Sequence, residues 1–334
     1  MLPSILSTFT SGIAVDLGTA KTVLYVKGKG IIASEPSFVA IKEHGPGAGR
    51  VTAIGKSAKD LRGRTSQNIT SVSPLRGGSV QNFELAGALL NHVVLKNPSR
   101  SRFVKCRTLI GVGSSASALE RKTIAEAAQL AGSGEVFLIN ESLAAAIGAG
   151  LPVHKACGSM IVDIGAGTTD ITVISMNGIV CSESIECAGS RFDEKITEFV
   201  RKTHQVTIGE QTAEEIKLAI GAALPGTENP KYSVRGRHNS TGLPACIGLT
   251  QTEVVKALSE PLQEIVEAIK RVLDKTPPEI AADIMEHGMS LVGAGALLTR
   301  LDAYISSRTA LTARLVEDAH TAVARGAGTS RSEI

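Results

Sequence analysis

Two short runs in this chain place a carboxylate, backbone amides and hydroxyls at a turn. Asp16-Leu17-Gly18-Thr19-Ala20-Lys21-Thr22 lies near the start, and Asp163-Ile164-Gly165-Ala166-Gly167-Thr168-Thr169-Asp170 near the middle. Val23–Val26 follows the first run and Ile171–Ile174 the second, so each reads as strand, tight Gly/Thr turn, strand. Amides crowded at such a turn form a preorganised anion site suited to phosphate. Asp16 and Asp163 can hold a hydrated Mg²⁺, an ion that keeps several waters and takes few direct carboxylates. Lys21 adds a point charge. Each run alone is a weak signal. The two acids stand 147 positions apart (163 − 16), which suggests two similar halves, each opening on such a hairpin. Two opposed hairpins of this kind suit the β- and γ-phosphates of one nucleotide.

Other phosphate and metal motifs fail. Gly55-Lys56-Ser57 resembles the end of a P-loop, but Arg50 stands where the earlier Gly is required. Gly293-Ala294-Gly295-Ala296-Leu297-Leu298 follows a predicted strand, Met289–Val292, yet Leu298 replaces the third Gly of a dinucleotide fingerprint. It is better read as a Gly-rich turn at a helix start. The seven His are scattered without HExxH spacing, and the five Cys form no CxxC pair. An odd thiol count fits a reducing cytoplasm better than a disulfide framework.

The elements that must position these turns alternate between strand and helix. Ala118–Leu130 is a predicted amphipathic helix. Glu253–Leu273 is a longer one, interrupted or restarted at Pro261 and ended before Pro277-Pro278. Lys42–Arg50 and Pro225–Leu243 show little periodicity and read as surface excursions of smaller subdomains. The pattern is that of an α/β protein. At 334 residues, a prior of about 150 residues per domain gives about two domains. A net charge of +3, 3% aromatics and no Trp argue against nucleic acid as a partner. No apolar run approaches the ~20 residues of a membrane span, and the first residues lack the basic start and cleavage site of a secretory signal.

Beyond the turns themselves, long stretches resemble a known superfamily: DLGTAKTVLYVKGKGI, SEPSFVAI, GRT at Gly63–Thr65, ESLAAAIGAGLP at Glu141–Pro152, GSMIVDIGAGTTDITVIS, RFDE at Arg191–Glu194, IGEQTAEEIK at Ile208–Lys217, VRGR at Val234–Arg237 and VGAGALL. From Ser11 to Gly328 the chain resembles the actin, sugar-kinase and heat-shock-chaperone ATPases, and within them the rod-shape-determining bacterial actins, the MreB family. The resemblance implies an actin-like fold of two ribonuclease-H-like domains with the nucleotide in the cleft between them. Domain I is expected over 1–145 with a small subdomain inserted at about 33–74, domain II over 146–310 with one at about 186–245, and 311–334 as a segment returning to domain I.

Carried over position by position, the resemblance implies ATP with Mg²⁺. Gly18, Thr19, Ala20 and Lys21 form the first phosphate loop, and Gly165, Ala166 and Gly167 the second, with Asp16 and Asp163 reaching magnesium through water. Glu214 and Lys217, with Glu215 and Ile216 between them, match the ribose and adenine contacts. Gly293, Ala294, Gly295 and Ala296 match the adenosine turn. Glu141 corresponds to the carboxylate that orients the attacking water, and Thr168 is a second candidate for holding it. ATP hydrolysis would then serve filament assembly.

The implied partners are further copies of the chain in paired protofilaments, the inner face of the cytoplasmic membrane, and membrane proteins of cell-wall elongation. The implied location is cytoplasmic and peripheral at that membrane. Leu2, Ile5, Leu6 and Phe9 share one helical face and could touch lipid. Ala118–Leu130 is a place to look for lateral contact between protofilaments. A filament positioning an organelle such as a magnetosome, or a plasmid, is the alternative. A small-molecule kinase would need a sugar pocket and a carboxylate base, for which no motif stands out. A chaperone is less expected, because the given sequence ends just after the nucleotide core.

Overall fold

The computed structural model describes residues 12–44, 47–65, 68–96, 107–114 and 116–330. The amphipathic face of Leu2, Ile5, Leu6 and Phe9 lies outside the described residues, as does Cys106. The chain divides into two compact units, one of residues 1–155 with 320–334 and one of 156–319.

The first unit begins with β1 (Ile13–Leu17), β2 (Lys21–Val26), β3 (Gly30–Pro36), β4 (Val39–Lys42), β5 (Val51–Ile54) and α1 (Lys56–Leu61). It continues through β6 (Ile69–Val72), β7 (Leu75–Arg76), β8 (Ser79–Val80), α2 (Phe83–Val94), β9 (Thr108–Val112), α3 (Ala118–Leu130), β10 (Val136–Asn140) and α4 (Glu141–Gly148). Its main sheet has the order β10-β9-β1-β2-β3, with β1 antiparallel to β2 and parallel to β9. A smaller sheet runs β5-β4-β6. The core of Val15, Leu17, Leu24, Leu89, Leu90 and Ile110 packs α2 and α3 on the main sheet. Ser117 and Glu120 close a capping box on α3, which fixes its start as the sequence pattern predicts.

The second unit contains β11 (Ser159–Ile164), β12 (Thr169–Ser175), β13 (Gly178–Ile185), α5 (Gly189–His204), β14 (Val206–Thr207), α6 (Glu210–Ile220), β15 (Lys231–His238) and β16 (Pro244–Thr250). Then come α7 (Gln251–Asp274), α8 (Pro278–His287), β17 (Met289–Val292), α9 (Leu301–Thr309) and β18 (Ala313–Leu315). The main sheet runs β13-β12-β11-β17-β18, with β11 antiparallel to β12 and parallel to β17. Strand for strand this is the order of the first unit's sheet. The sequence near-repeat is therefore a duplicated topology, each copy opening on an Asp-bearing hairpin. The chain closes on α10 (Ala322–Thr329), which belongs to the first unit.

Two sequence expectations needed correction. Helix α7 runs unbroken through Pro261. A proline inside a helix costs about 3 kcal/mol. Here the buried stripe of Val254, Leu258, Leu262, Ile265, Val266, Ile269 and Val272 offsets it, at about 1.5–3 kcal/mol for each fully buried large apolar side chain. Pro225–Leu243, read as aperiodic, contains β15, paired along its length with β16. Its inward face includes Gly236, where a Cβ would meet the Thr207 carbonyl at 2.5 Å, so the alternation of a half-buried strand is masked. Among the described residues no helix is long and apolar enough to cross a membrane.

Candidate functional site

The two acidic hairpins share one local geometry. The first closes at Leu17 opposite Thr22, and the Gly18 N–H donates to the Lys21 carbonyl at 3.1 Å. The second closes at Ile164 opposite Thr169, and the Gly165 N–H donates to the Thr168 carbonyl at 2.9 Å. Gly18 is required by this closure, since a Cβ there would lie 2.8 Å from the Lys21 carbonyl oxygen.

Connections between neighbouring strands hold the first loop in place. The Ser37 hydroxyl donates to the Gly18 carbonyl at 2.7 Å, and the Ser37 N–H to the Ala20 carbonyl at 2.9 Å. The Ser73 hydroxyl donates to the Thr19 carbonyl at 3.0 Å, and the Gly78 N–H to the Thr19 hydroxyl at 3.4 Å. Bonding the carbonyls to protein leaves the loop rigid, the condition for a preorganised anion site. Gly18, Thr19 and Ala20 are partly exposed and Lys21 is exposed at the start of β2. Burial pushes the Asp16 carboxyl up to about 7. A carboxylate so enclosed gains more from a cation than a solvated one does.

Glu141 is the first residue of α4, where the helix N-terminus favours a negative charge. Asn140 caps that end by accepting from the Leu143 N–H at 3.2 Å, and its own amide donates to the Ser114 hydroxyl at 2.9 Å. The Glu141 side chain lies over the end of β9. A Cβ on Gly111 would come within 3.0 Å of Glu141 Cγ, and one on Gly113 within 3.8 Å of its Oε2. Behind it, α4 touches α10 backbone to backbone. A Cβ on Gly148 would lie 2.0 Å from the Ala322 carbonyl oxygen, and one on Gly326 would lie 1.7 Å from that of Ala144.

The second loop is built into a denser cluster. The N–H groups that open α5 donate to it, Gly189 to the Gly165 carbonyl at 3.2 Å and Ser190 to the Ala166 carbonyl at 2.8 Å. The turn at 293–296 sits directly on the loop. Gly293, at φ 86°, has no room for a Cβ, which would fall 2.3 Å from the Ile164 carbonyl oxygen and 2.4 Å from Asp163 Oδ1. A Cβ on Gly295 would likewise fall 2.8 Å from the Gly165 carbonyl oxygen. Ala294 is exposed and Ala296 buried. Thr168 shares a hydrogen bond with Asp170, a residue only 7% exposed. Burial raises the pKa of Asp170, against the bonds from Ser184 and Thr168 that lower it.

On α6, Glu214 and Lys217 are both partly buried and three residues apart, hence on one face. Glu215 is exposed, while Ile216 is wholly within the core. The Lys217 ammonium donates to the Gly189 carbonyl at 2.9 Å and to Asp193 Oδ2 at 2.8 Å. The structure thus brings Asp163, the second loop, Lys217 and the 293–295 turn together in one unit, while Asp16, the first loop and Glu141 belong to the other.

Sequence reasoning missed the supports: Ser37, Ser73, Gly111, Asn140, Asp170 and Asp193. Of these only Asn140 had a local signal, an N-cap residue directly before the Ala-rich helix. Among the described residues, no three His, Cys, Asp or Glu side chains gather to hold a metal.

Known proteins resemble the chain along most of its length. The cell shape-determining protein MreB of Escherichia coli is 46% identical over 331 residues, covering 98% of this chain and 95% of that one. The crystal structure of MreB5 of Spiroplasma citri bound to ADP superposes with a TM-score of 0.90 at 32% identity, covering 95% and 94% of the two chains. The MamK double helical filament, at 24% identity and a TM-score of 0.81 over 95% of this chain and 97% of that one, shares the fold. The model of the MreB/Mbl protein family matches residues 10–334. The chain belongs to the MreB/Mbl family.

Proposed function

We propose that the chain is an actin-like filament protein that binds ATP, assembles with copies of itself, and determines cell shape by organising cell-wall synthesis during elongation. The observation that carries this is the second loop, where Lys217, the start of α5 and the 293–295 turn converge on Asp163–Thr168. That arrangement suits a nucleotide better than a free anion, since the turn offers bare backbone and α6 offers Glu214 and Lys217 beside a phosphate-type loop. Family membership supports the rest. The Spiroplasma citri relative was crystallised with ADP and with AMPPNP, and the Escherichia coli relative is named for cell shape.

Within this reading Gly18–Lys21 and Gly165–Gly167 take phosphates, and Asp16 and Asp163 hold Mg²⁺ through water. The fit is chemical. Asp16 is an enclosed carboxylate, and magnesium keeps several waters while taking few direct carboxylates. Magnesium neutralises phosphate charge when bound. Glu141 orients the attacking water, and Thr168, fixed by Asp170, holds it from the second loop. Exposed Leu119 and Leu130 on α3 are the residues to expect at a lateral contact between protofilaments. Contact with the inner membrane, and with membrane proteins of wall synthesis, completes the proposal. Many weak lipid contacts would sum along a filament.

Pelleting and electron microscopy with Mg·ATP test assembly, and depletion in the native cell tests the role. ATP-dependent filaments together with loss of rod shape are expected. A chain that stays monomeric at high concentration, with or without lipid vesicles, contradicts the proposal. Displaced organelles or plasmids at normal cell shape would point to a specialised positioning filament instead.

A further inference from the structure

Lys217 is more tightly held than a ligand-binding lysine needs to be. A lysine stem carries about 1.5–2 kcal/mol of rotamer entropy that is lost when the head is fixed. Here the loss is met before any ligand arrives. Two of the three ammonium donors are already engaged, one with the Gly189 carbonyl at 2.9 Å and one with Asp193 Oδ2 at 2.8 Å. The third remains for a ligand.

Asp193 lies one turn into α5 from Gly189, on the same face. Both partners of the ion pair are largely buried, with side-chain exposures of 16% for Lys217 and 18% for Asp193, so screening by solvent is limited. The ammonium also stands at the second loop. It is 3.5 Å from where a Gly189 Cβ would be, and that point is 3.4 Å from Ala166 Cα and from the Gly165 carbonyl oxygen.

We infer that Asp193 is a positioning residue for ribose recognition: by anchoring the Lys217 ammonium beside the Gly189 carbonyl, it aims the remaining N–H at a sugar hydroxyl of the bound nucleotide and thereby sets the preference for ribonucleotides over deoxyribonucleotides. The inference rests on the proposed nucleotide reading of Lys217. Without the carboxylate, the ammonium keeps one carbonyl partner and a flexible stem, and its direction is lost. A mere strut between α5 and α6 would act differently, weakening every nucleotide alike.

Binding of Mg·ATP and Mg·2′-deoxyATP to the full chain separates these cases. A charge-assisted hydrogen bond to the sugar gives the unmodified chain a preference for ATP of roughly tenfold or more. Asp193→Asn is expected to lower that preference to about threefold or less, with 2′-deoxyATP affinity nearly unchanged, and Lys217→Met is expected to lower the preference at least as far. Adding Asp193→Asn to Lys217→Met should change the ratio no further. If Asp193→Asn keeps the preference while Lys217→Met abolishes it, the inference is overturned and the nucleotide reading stands. If both variants weaken the two nucleotides equally, Asp193 is a strut and the inference is again overturned. A preference unaffected by Lys217→Met removes the sugar contact itself, and with it this inference, while leaving ATP binding intact. Failure of the unmodified chain to bind ATP overturns the nucleotide reading as a whole. Should Asp193→Asn not fold, Asp193→Glu carries the test, because one added methylene displaces the ammonium. A preference reduced severalfold is expected, and an unchanged one overturns the inference.

Discussion

Gly326→Ala is the most severe single-methyl change available near Glu141. The added Cβ would fall 1.7 Å from the Ala144 carbonyl oxygen, 2.6 Å from the Gly148 nitrogen and 2.7 Å from the Ala144 carbonyl carbon. Ordinary contact begins near 3.4 Å, so α10 and α4 must part by roughly 1.5–2 Å, because backbone cannot rotate aside as a side chain can. Overpacking of this kind costs typically 1–3 kcal/mol, and a clash with backbone belongs at the upper end, about 3 kcal/mol.

Since Glu141 opens α4, the shift also moves the carboxylate proposed to orient water, and a displacement of about 1 Å is enough to cost on the order of 100-fold in rate. Urea denaturation and phosphate release under Mg·ATP read the two effects. Gly248→Ala, where a Cβ meets nothing within 4 Å, is the control and should stay within about 0.5 kcal/mol. If Gly326→Ala matched that control in stability and kept full hydrolysis, the backbone contact between α4 and α10 would not be what positions Glu141.

Glu141→Ala should lower phosphate release by about 10²–10³-fold while leaving Mg·ATP affinity within a few-fold, which equilibrium binding and single-turnover hydrolysis distinguish. Gly293→Ala must place a Cβ 2.3 Å from the Ile164 carbonyl oxygen at φ 86°. It should disturb the second loop enough to weaken Mg·ATP by at least about tenfold by calorimetry. Glu183 is bonded to Arg271, and also to Lys275, which hold its carboxyl below the usual carboxylate range. A lowered pKa in an acid contributes stability above the unfolded value near 4.5 that is lost as pH falls through the folded value. With Arg271 and Lys275 about half exposed, the effect is no more than about 1 kcal/mol. Glu183→Gln should therefore flatten the acid limb of a stability–pH curve by that amount and leave the neutral region shifted down uniformly.

The hairpins were legible because their signal is local. β-branched runs on either side of Asp-x-Gly-Thr and Asp-x-Gly-Ala-Gly-Thr leave the chain little but a turn, and the repeat of that signal exposed the duplicated sheet order. The supports were not legible for a physical reason. Ser37 and Ser73 reach the first loop from 19 and 54 positions away, distances at which no residue pattern records a hydrogen bond. Gly111, Gly148 and Gly326 owe their identity to what lies across a tertiary contact, so in sequence they are indistinguishable from turn glycines. Pro261 misled because its local cost is real and only the burial of the surrounding stripe exceeds it. Among the residues proposed to bind nucleotide, spacing placed Glu214 and Lys217 on one face, yet nothing in it marked Asp193 as the partner of Lys217.

The central claim is that Asp16 and Asp163 serve one nucleotide. Calorimetric titration of Mg·ATP into the full chain, and into Asp16→Asn and Asp163→Asn, tests it most directly. One nucleotide per chain is expected, weakened about tenfold or more by either substitution, with much of that loss vanishing when EDTA removes magnesium. Binding of two nucleotides, or full affinity in either variant, would contradict it.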